Sequence, residues 1–136
     1  MVCRKELNTV TFAHLTLATR DVVATADFFC QTMGWTKIYH PDNIESQAAW
    51  LDIALNQQLH LLYVPDFEPS ACEREFGRHV AFFHPNADFS DLKQRLSAHG
   101  AEIMEPERAT PFERFFFRDP QGYVFEVIDQ EGFLTA

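Results

Sequence analysis

Four side chains of the types that hold catalytic divalent metals recur at a regular spacing: His14, His60, His79 and Glu126. His14 precedes His79 by 65 residues, and His60 precedes Glu126 by 66. Imidazole and carboxylate donors that face a cavity can bind a metal and leave positions open for water or substrate. One histidine on a strand is more often an ordinary core residue, but four donors at matching positions favour a metal site.

Glu126 belongs to the stretch RFFFRDPQGYVFEVID, residues 114–129, whose composition is typical of a β-hairpin. Two runs of aromatic and β-branched residues flank the turn residues DPQG. Side chains alternate between the faces of a strand, so Glu126 shares its face with Val124 and Ile128. A carboxylate on such an apolar face needs either water or a cationic partner.

The elements that position these donors occur twice in the same order. Residues 9–64 predict a strand, a helix and three strands, and residues 78–130 predict the same series after a linker, 65–77. Gly34 and Gly100, which end the two predicted helices, are 66 residues apart. Such self-similarity indicates two copies of one supersecondary unit that pack together.

The first strand is predicted from Thr9 to Ala18, followed by a helix with Asp21 as its N-cap. Both faces of this strand are largely apolar, which predicts a central strand and a His14 side chain that is at least half buried. Pseudo-two-fold packing of the copies would place equivalent strands side by side. The four donors would then converge on one cleft.

Arginines and phenylalanines are weaker candidates for a site. A surface position is the favoured interpretation of Arg78, Arg108 and Arg114, with recognition of a substrate carboxylate as the alternative. Core packing is favoured over the lining of an apolar pocket for Phe12, Phe82, Phe115, Phe117 and Phe125.

Composition limits the class of partner. The 136 residues, of which 46% are hydrophobic and 23% charged, suit one globular domain spanning the whole chain, 1–136. A net charge of -9 without a basic cluster argues against nucleic acid and anionic membranes, so we expect a small-molecule substrate. Scattered Cys3, Cys30 and Cys72, and the absence of a long apolar run, predict a reducing, cytoplasmic location.

The segments FAHLTL (12–17), DFFCQTMGW (27–35), RHVAFF (78–83) and DPQGYVFEVI (119–128) resemble the vicinal oxygen chelate superfamily. This superfamily includes glyoxalase I, fosfomycin-resistance proteins, extradiol dioxygenases and bleomycin-resistance proteins. The resemblance covers nearly the whole chain. It implies an α+β fold in which two βαβββ modules form a curved mixed β-sheet.

The resemblance also implies a divalent-metal-dependent enzyme that acts on a small vicinally oxygenated substrate. The favoured chemistry is that of a glyoxalase I-like lyase or isomerase, in which Ni, Zn, Mn or Fe stabilises an enediolate. The alternatives are an extradiol-type ring-cleaving dioxygenase, a fosfomycin-resistance-like transferase, and a metal-free protein that sequesters a ligand.

Residue roles follow from the same resemblance. His14, His79 and Glu126 would be metal ligands, and His60 would be either a fourth ligand or the catalytic base. Detachment of Glu126 from the metal to accept the proton is the other possibility. The resemblance further implies a homodimer, in which His14 and His60 of one subunit can face His79 and Glu126 of the other.

Overall fold

The computed structural model describes residues 11–44 and 47–136, so Cys3 and the first two residues of the predicted strand, Thr9 and Val10, lie outside the described residues. A 3-10 turn at Asn86–Asp88 precedes the second helix. The strands and α-helices, in chain order, are β1 (His14–Thr19), α1 (Val22–Met33), β2 (Thr36–Ile38), β3 (Ala48–Ala54), β4 (Gln57–Tyr63), β5 (Val80–His84), α2 (Phe89–Ala98), β6 (Glu102–Met104), β7 (Arg114–Arg118), β8 (Val124–Asp129) and α3 (Gln130–Thr135).

The strands form two four-stranded sheets with equivalent topology. Their orders are β1-β4-β3-β2 and β5-β8-β7-β6. In each sheet the first strand pairs in parallel with the last strand of its module, and the other pairings are antiparallel. The predicted α+β fold of two βαβββ modules is therefore confirmed, with each module carrying its own mixed sheet.

Helix α1 begins and ends where its sequence predicts. The Asp21 side chain accepts a hydrogen bond of 2.9 Å from the Ala24 amide, which satisfies one of the free amides of the first turn. Gly34 adopts φ +74° at the C-terminus, a left-handed conformation that favours glycine. Ala26 and Phe29, four and seven residues into the helix, are fully buried against the sheets.

One hydrophobic core joins the two modules. The Phe29 ring stacks on Trp35 at 5.1 Å and meets Phe125 of the second module edge-on at 5.6 Å. Phe28 contacts Phe117 at 6.4 Å between ring centroids. Because α1 of the first module packs on β7 and β8 of the second, burial of these aromatic rings stabilises the modules against each other.

The structure corrects three expectations for the first strand. Among the described strands, β1 lies at the edge of its sheet with β4 as its one neighbour, and it begins at His14. The predicted central position and half-buried His14 are wrong, because the side chains of Phe12 and His14 are exposed, and the 76% exposure of Phe12 also contradicts its favoured place in the core. The face of β1 that carries His14, with Phe12 just before the strand, is left open by the described residues of the chain.

The linker, residues 65–77, packs on the second module through a buried carboxylate. Glu73 is 4% exposed and pairs with the Arg78 guanidinium, with one N···O contact of 2.6 Å. The same carboxylate accepts a hydrogen bond of 2.8 Å from the Val124 amide of β8.

The terminal helix α3, which the sequence pattern did not predict, follows β8 directly. In the part of the chain described here, no helix combines the length and the apolar character needed to span a membrane.

Candidate metal centre

The four predicted donors lie on the sheet faces that point away from the shared core. On β8, Phe125 and Val127 are buried in that core, so the intervening Glu126 faces the other way. On β4, Leu59 and Leu61 are core residues and His60 lies between them on the opposite face. Strand alternation thus gives each module a core face and a donor-bearing face.

The donors occupy equivalent positions in the two modules. In the pairing of β1 with β4, His14 lies two residues before the register partner of His60. In the pairing of β5 with β8, His79 lies two residues before the register partner of Glu126. The sequence repeat therefore corresponds to a repeat in space, with one first-strand donor beside one last-strand donor in each module.

In the first module the donors form a stack of aromatic rings. The His60 ring lies between His14 and Trp50, with centroid distances of 3.9 Å to each. His60 is only 8% exposed, and its Nε2 lies 2.8 Å from the Gln58 side-chain oxygen. Burial, with a smaller electrostatic contribution from the neighbouring His14 ring, lowers the pKa of His60, which favours a neutral imidazole.

In the second module the donors form a close polar pair. His79 Nε2 lies 3.2 Å from Glu126 Oε1. Two neighbouring ligands at about 2.1 Å from one metal and at a right angle are separated by about 3 Å, so the spacing suits adjacent ligands. His79 Nδ1 lies 3.3 Å from the Arg74 carbonyl oxygen, which is the usual arrangement of a metal-binding histidine.

A buried arginine completes this second pair, and the surface interpretation of Arg114 is wrong. The Arg114 side chain is 2% exposed, and its Nη1 donates to Glu126 Oε2 at 2.9 Å. Its Nη2 donates to Glu75 Oε2 of the linker at 2.8 Å. The antiparallel register places Arg114 opposite Ile128, on the face of Glu126, so the hairpin pattern contained the signal for this contact.

The two pairs remain separate in one chain. Within residues 11–44 and 47–136, no group of three or more His, Cys, Asp and Glu side chains is placed to hold a metal ion. The reason lies in the fold, because each donor-bearing face points away from the core that joins the modules. The predicted convergence of all four donors is not found within the described part of a single chain.

A cavity of about 280 Å³ lies away from both pairs, between α1 and the turn that joins β7 to β8. Its wall includes Phe28, Gln31 and Pro120. No donor of either pair lines it, so this cavity does not identify the candidate metal centre.

Comparison with proteins of known structure shows the same fold. A fosfomycin resistance protein, FosX, from Listeria monocytogenes, solved as a mutant complexed with Mn(II) and 1S,2S-dihydroxypropylphosphonic acid, is 22% identical, with a TM-score of 0.74 and coverage of 93% of this chain and 98% of that chain. FosX from Mesorhizobium loti is 20% identical, with a TM-score of 0.71 and the same coverages, 93% and 98%. A glyoxylase/bleomycin resistance protein/dioxygenase domain from Frankia sp. EAN1pec is 18% identical, with a TM-score of 0.72 and coverages of 90% and 98%.

At the sequence level, no curated protein matches the chain. The family model of the Glyoxalase/Bleomycin resistance protein/Dioxygenase superfamily matches residues 11–127. This range includes nearly all of both modules and all four predicted donors. The chain therefore belongs to the Glyoxalase/Bleomycin resistance protein/Dioxygenase superfamily, the vicinal oxygen chelate superfamily that its motifs resemble.

Proposed function

We propose that this protein is a divalent-metal-dependent enzyme that acts on a small vicinally oxygenated substrate. The observation that carries the proposal is the approach of His79 Nε2 to Glu126 Oε1 at 3.2 Å. The Arg74 carbonyl can only accept a hydrogen bond, so His79 Nδ1 must carry a proton to bond with it. In a neutral ring this leaves a lone pair on Nε2, which faces a carboxylate oxygen. A metal ion between these two acceptors, or a second proton on the His79 ring, resolves the repulsion, and the proposal assigns the metal ion to this place.

The charge of the surrounding groups supports the same conclusion. Glu75 and Glu126 share one buried guanidinium, that of Arg114. Two carboxylates and one guanidinium leave a negative charge in a region of low exposure, and an unbalanced buried charge is costly. A divalent cation at His79 and Glu126 would compensate for it.

The third ligand in the proposal is His14 of a second copy of the chain. Two protein donors are fewer than the three that catalytic metal sites commonly use, and His14 lies exposed on an open sheet face. A homodimer that places the first module of one subunit against the second module of the other would bring these donors together. The site would then require both subunits.

The nitrogen and oxygen donors suit Ni, Zn, Mn or Fe in the divalent state. When bound, such a metal supplies Lewis-acid polarisation to neighbouring oxygens of the substrate. The chain's own residues then have to orient the substrate and move a proton.

His60 is the better supported of the two candidate proton acceptors. Glu126 Oε2 accepts a hydrogen bond from the buried Arg114 guanidinium, which opposes detachment of this carboxylate. The Gln58 side-chain oxygen accepts from His60 Nε2, so the lone pair of His60 is on Nδ1. Its lowered pKa keeps His60 neutral and able to accept a proton. These roles favour the glyoxalase I-like lyase or isomerase reaction, in which a proton leaves the carbon beside an oxygen.

A second candidate is the opening of an epoxide by water or a thiol, as in fosfomycin resistance. The likeness to FosX, one form of which is complexed with Mn(II) and a dihydroxypropylphosphonic acid, favours this candidate. It needs three metal ligands and assigns no role to His60. Ring cleavage of a catechol is the third reaction class to be tested.

Subunit complementation tests the shared site. His14→Ala and His79→Ala variants should each lack metal-dependent activity, and a mixture refolded together should regain it. In a statistical mixture about a quarter of the sites would combine two unaltered halves, because half of the dimers are mixed and one of their two sites is intact. A site within one chain predicts no recovery, since every chain carries one defect.

Metal analysis and a substrate screen test the chemistry. Purified protein should bind at least one of Ni(II), Zn(II), Mn(II) and Fe(II), and the loaded protein should be assayed with hemithioacetals, catechols and fosfomycin-like epoxides. His60→Gln should abolish turnover of a hemithioacetal while metal affinity is retained. If none of the four metals binds, the enzyme proposal is wrong and a ligand-sequestering function replaces it.

A further inference from the structure

We infer that Arg114 is a positioning residue which orients Glu126 toward the metal, and that Glu75 of the linker holds Arg114 in place. The inference rests on the proposed function, because it assigns a role relative to the proposed metal ligands. It adds to the proposed site a residue of the linker between the modules, a segment that contains none of the four predicted donors.

The geometry around Arg114 is that of a fixed bridge between two carboxylates. Nη1 donates to Glu126 Oε2 at 2.9 Å and Nη2 donates to Glu75 Oε2 at 2.8 Å. The side chains of Arg114, Glu126 and Glu75 are 2%, 9% and 11% exposed. Charge-assisted hydrogen bonds in a site of low exposure are strong and direction-dependent.

The linker end of the bridge is itself anchored. Glu75 Oε1 accepts from the Glu107 amide at 2.7 Å, and Oε2 accepts from the Arg108 amide at 3.1 Å. Burial opposes ionisation of Glu75, but these amides and Arg114 outweigh it and lower the pKa of Glu75. Arg114 also donates to the Arg108 carbonyl and lies over the Phe116 ring at 5.3 Å. These contacts leave the guanidinium little freedom to turn.

The bridge determines which oxygen of Glu126 is available. Because Oε2 is engaged by Arg114, Oε1 is the oxygen that faces His79 Nε2. With Oε2 engaged, Glu126 would offer a metal a single oxygen, Oε1, in a fixed direction beside His79. Replacing a residue that hydrogen-bonds to a metal ligand commonly weakens metal binding by about 10 to 100-fold.

The test compares the same substitution at two arginines of β7. Arg114→Lys keeps the charge and removes the two-pronged geometry. Arg118→Lys is the matched control, because Arg118 lies on the same strand and face and donates to the Gly122 and Glu73 carbonyls rather than to Glu126. Glu75→Gln is the third variant, which leaves Arg114 in place and weakens its anchor. Each dimeric protein is titrated with Mn(II) by electron paramagnetic resonance, and the melting temperature of the metal-free form is recorded.

We expect Arg114→Lys to weaken Mn(II) binding by about 10 to 100-fold and Glu75→Gln to weaken it by less. Arg118→Lys should bind within about twofold of the unaltered protein, whatever its melting temperature. If Arg114→Lys does not fold, the comparison of Glu75→Gln with Arg118→Lys decides. Equal affinities of Glu75→Gln, Arg114→Lys and the unaltered protein overturn the inference and leave the proposed function standing. Absence of Mn(II), Ni(II), Zn(II) and Fe(II) binding to the unaltered protein overturns both.

Discussion

The two donor pairs occupy equivalent positions in equivalent modules, yet they are built from different interactions. His60 of the first module is held by aromatic stacking between His14 and Trp50. Glu126 of the second module is held by a buried guanidinium and faces a histidine nitrogen. The first pair carries no fixed charge, whereas the second includes a carboxylate that is paired with the Arg114 guanidinium.

This difference indicates a division of labour between the modules. The second pair has a carboxylate and a donor spacing that suit a metal. Glu75 of the linker contacts the Arg114 guanidinium, which in turn contacts Glu126. The first pair presents an exposed imidazole, that of His14, beside a neutral one, that of His60. The equivalent positions of the two modules hold histidine in one, His60, and glutamate in the other, Glu126, and under the proposed function this difference would separate the two roles.

The largest effect is expected from removing a donor of the second pair. His79→Ala and Glu126→Ala should each weaken binding of Mn(II) or Zn(II) by more than about 1000-fold, equivalent to roughly 4 kcal/mol. Both residues lie on the sheet face opposite the core, so the circular dichroism spectrum should remain nearly unchanged. Isothermal titration calorimetry measures the affinity.

The matched variant for this comparison is His60→Gln in the first pair. Its metal affinity should stay within a few-fold of the unaltered protein, because His60 Nε2 is already engaged by Gln58. If metal binding survives both His79→Ala and Glu126→Ala, or is lost in His60→Gln, the assignment of the metal to the second pair is wrong.

The hairpins next to the donors differ in a similar way, and the difference predicts a pH effect on stability. The first-module turn is exposed at Leu55 and Asn56, whereas the second-module turn contains Asp119, only 4% exposed. Asp119 Oδ1 accepts from the Gln121 and Tyr123 amides, and Oδ2 is buried without a hydrogen-bond partner among the described residues. Burial raises the pKa of the Asp119 carboxyl to about 7.

The sign follows from proton binding. Between the unfolded pKa of about 3.9 and the folded value of about 7, the native state holds a proton that the unfolded state lacks. The free energy of unfolding should therefore fall as pH rises from 5 to 7, by roughly 2 to 3 kcal/mol if Asp119 acts alone. Urea denaturation at several pH values measures it. Asp119→Asn should flatten this dependence, and an unchanged slope in that variant would assign the pH effect to other groups.

The sequence pattern predicts the order of the elements and the donor positions, but it does not predict which surfaces and side chains meet, and both results have physical causes. The module order and the positions of His60 and Glu126 follow from local periodicity and from a repeat of 66 residues, both of which can be read along the chain without knowing which residues meet in space. The exposure of His14 depends on which other surface covers β1, and no pattern within the strand contains that information. The bridge from Arg114 reaches a linker residue 39 positions away, so only the folded chain reveals its partner.

The smallest expected effect concerns the aromatic stack of His60 between His14 and Trp50. His60→Ala removes two ring contacts and should lower the free energy of unfolding by about 2 kcal/mol, whereas His60→Phe retains the stacking on Trp50 and should cost about 1 kcal/mol. The remaining cost of the phenylalanine arises because the Gln58 oxygen loses its donor. Denaturant titrations of both variants in the metal-free state measure the difference. Equal losses would mean that the hydrogen bond to Gln58, and not the aromatic stack, holds the first pair in place.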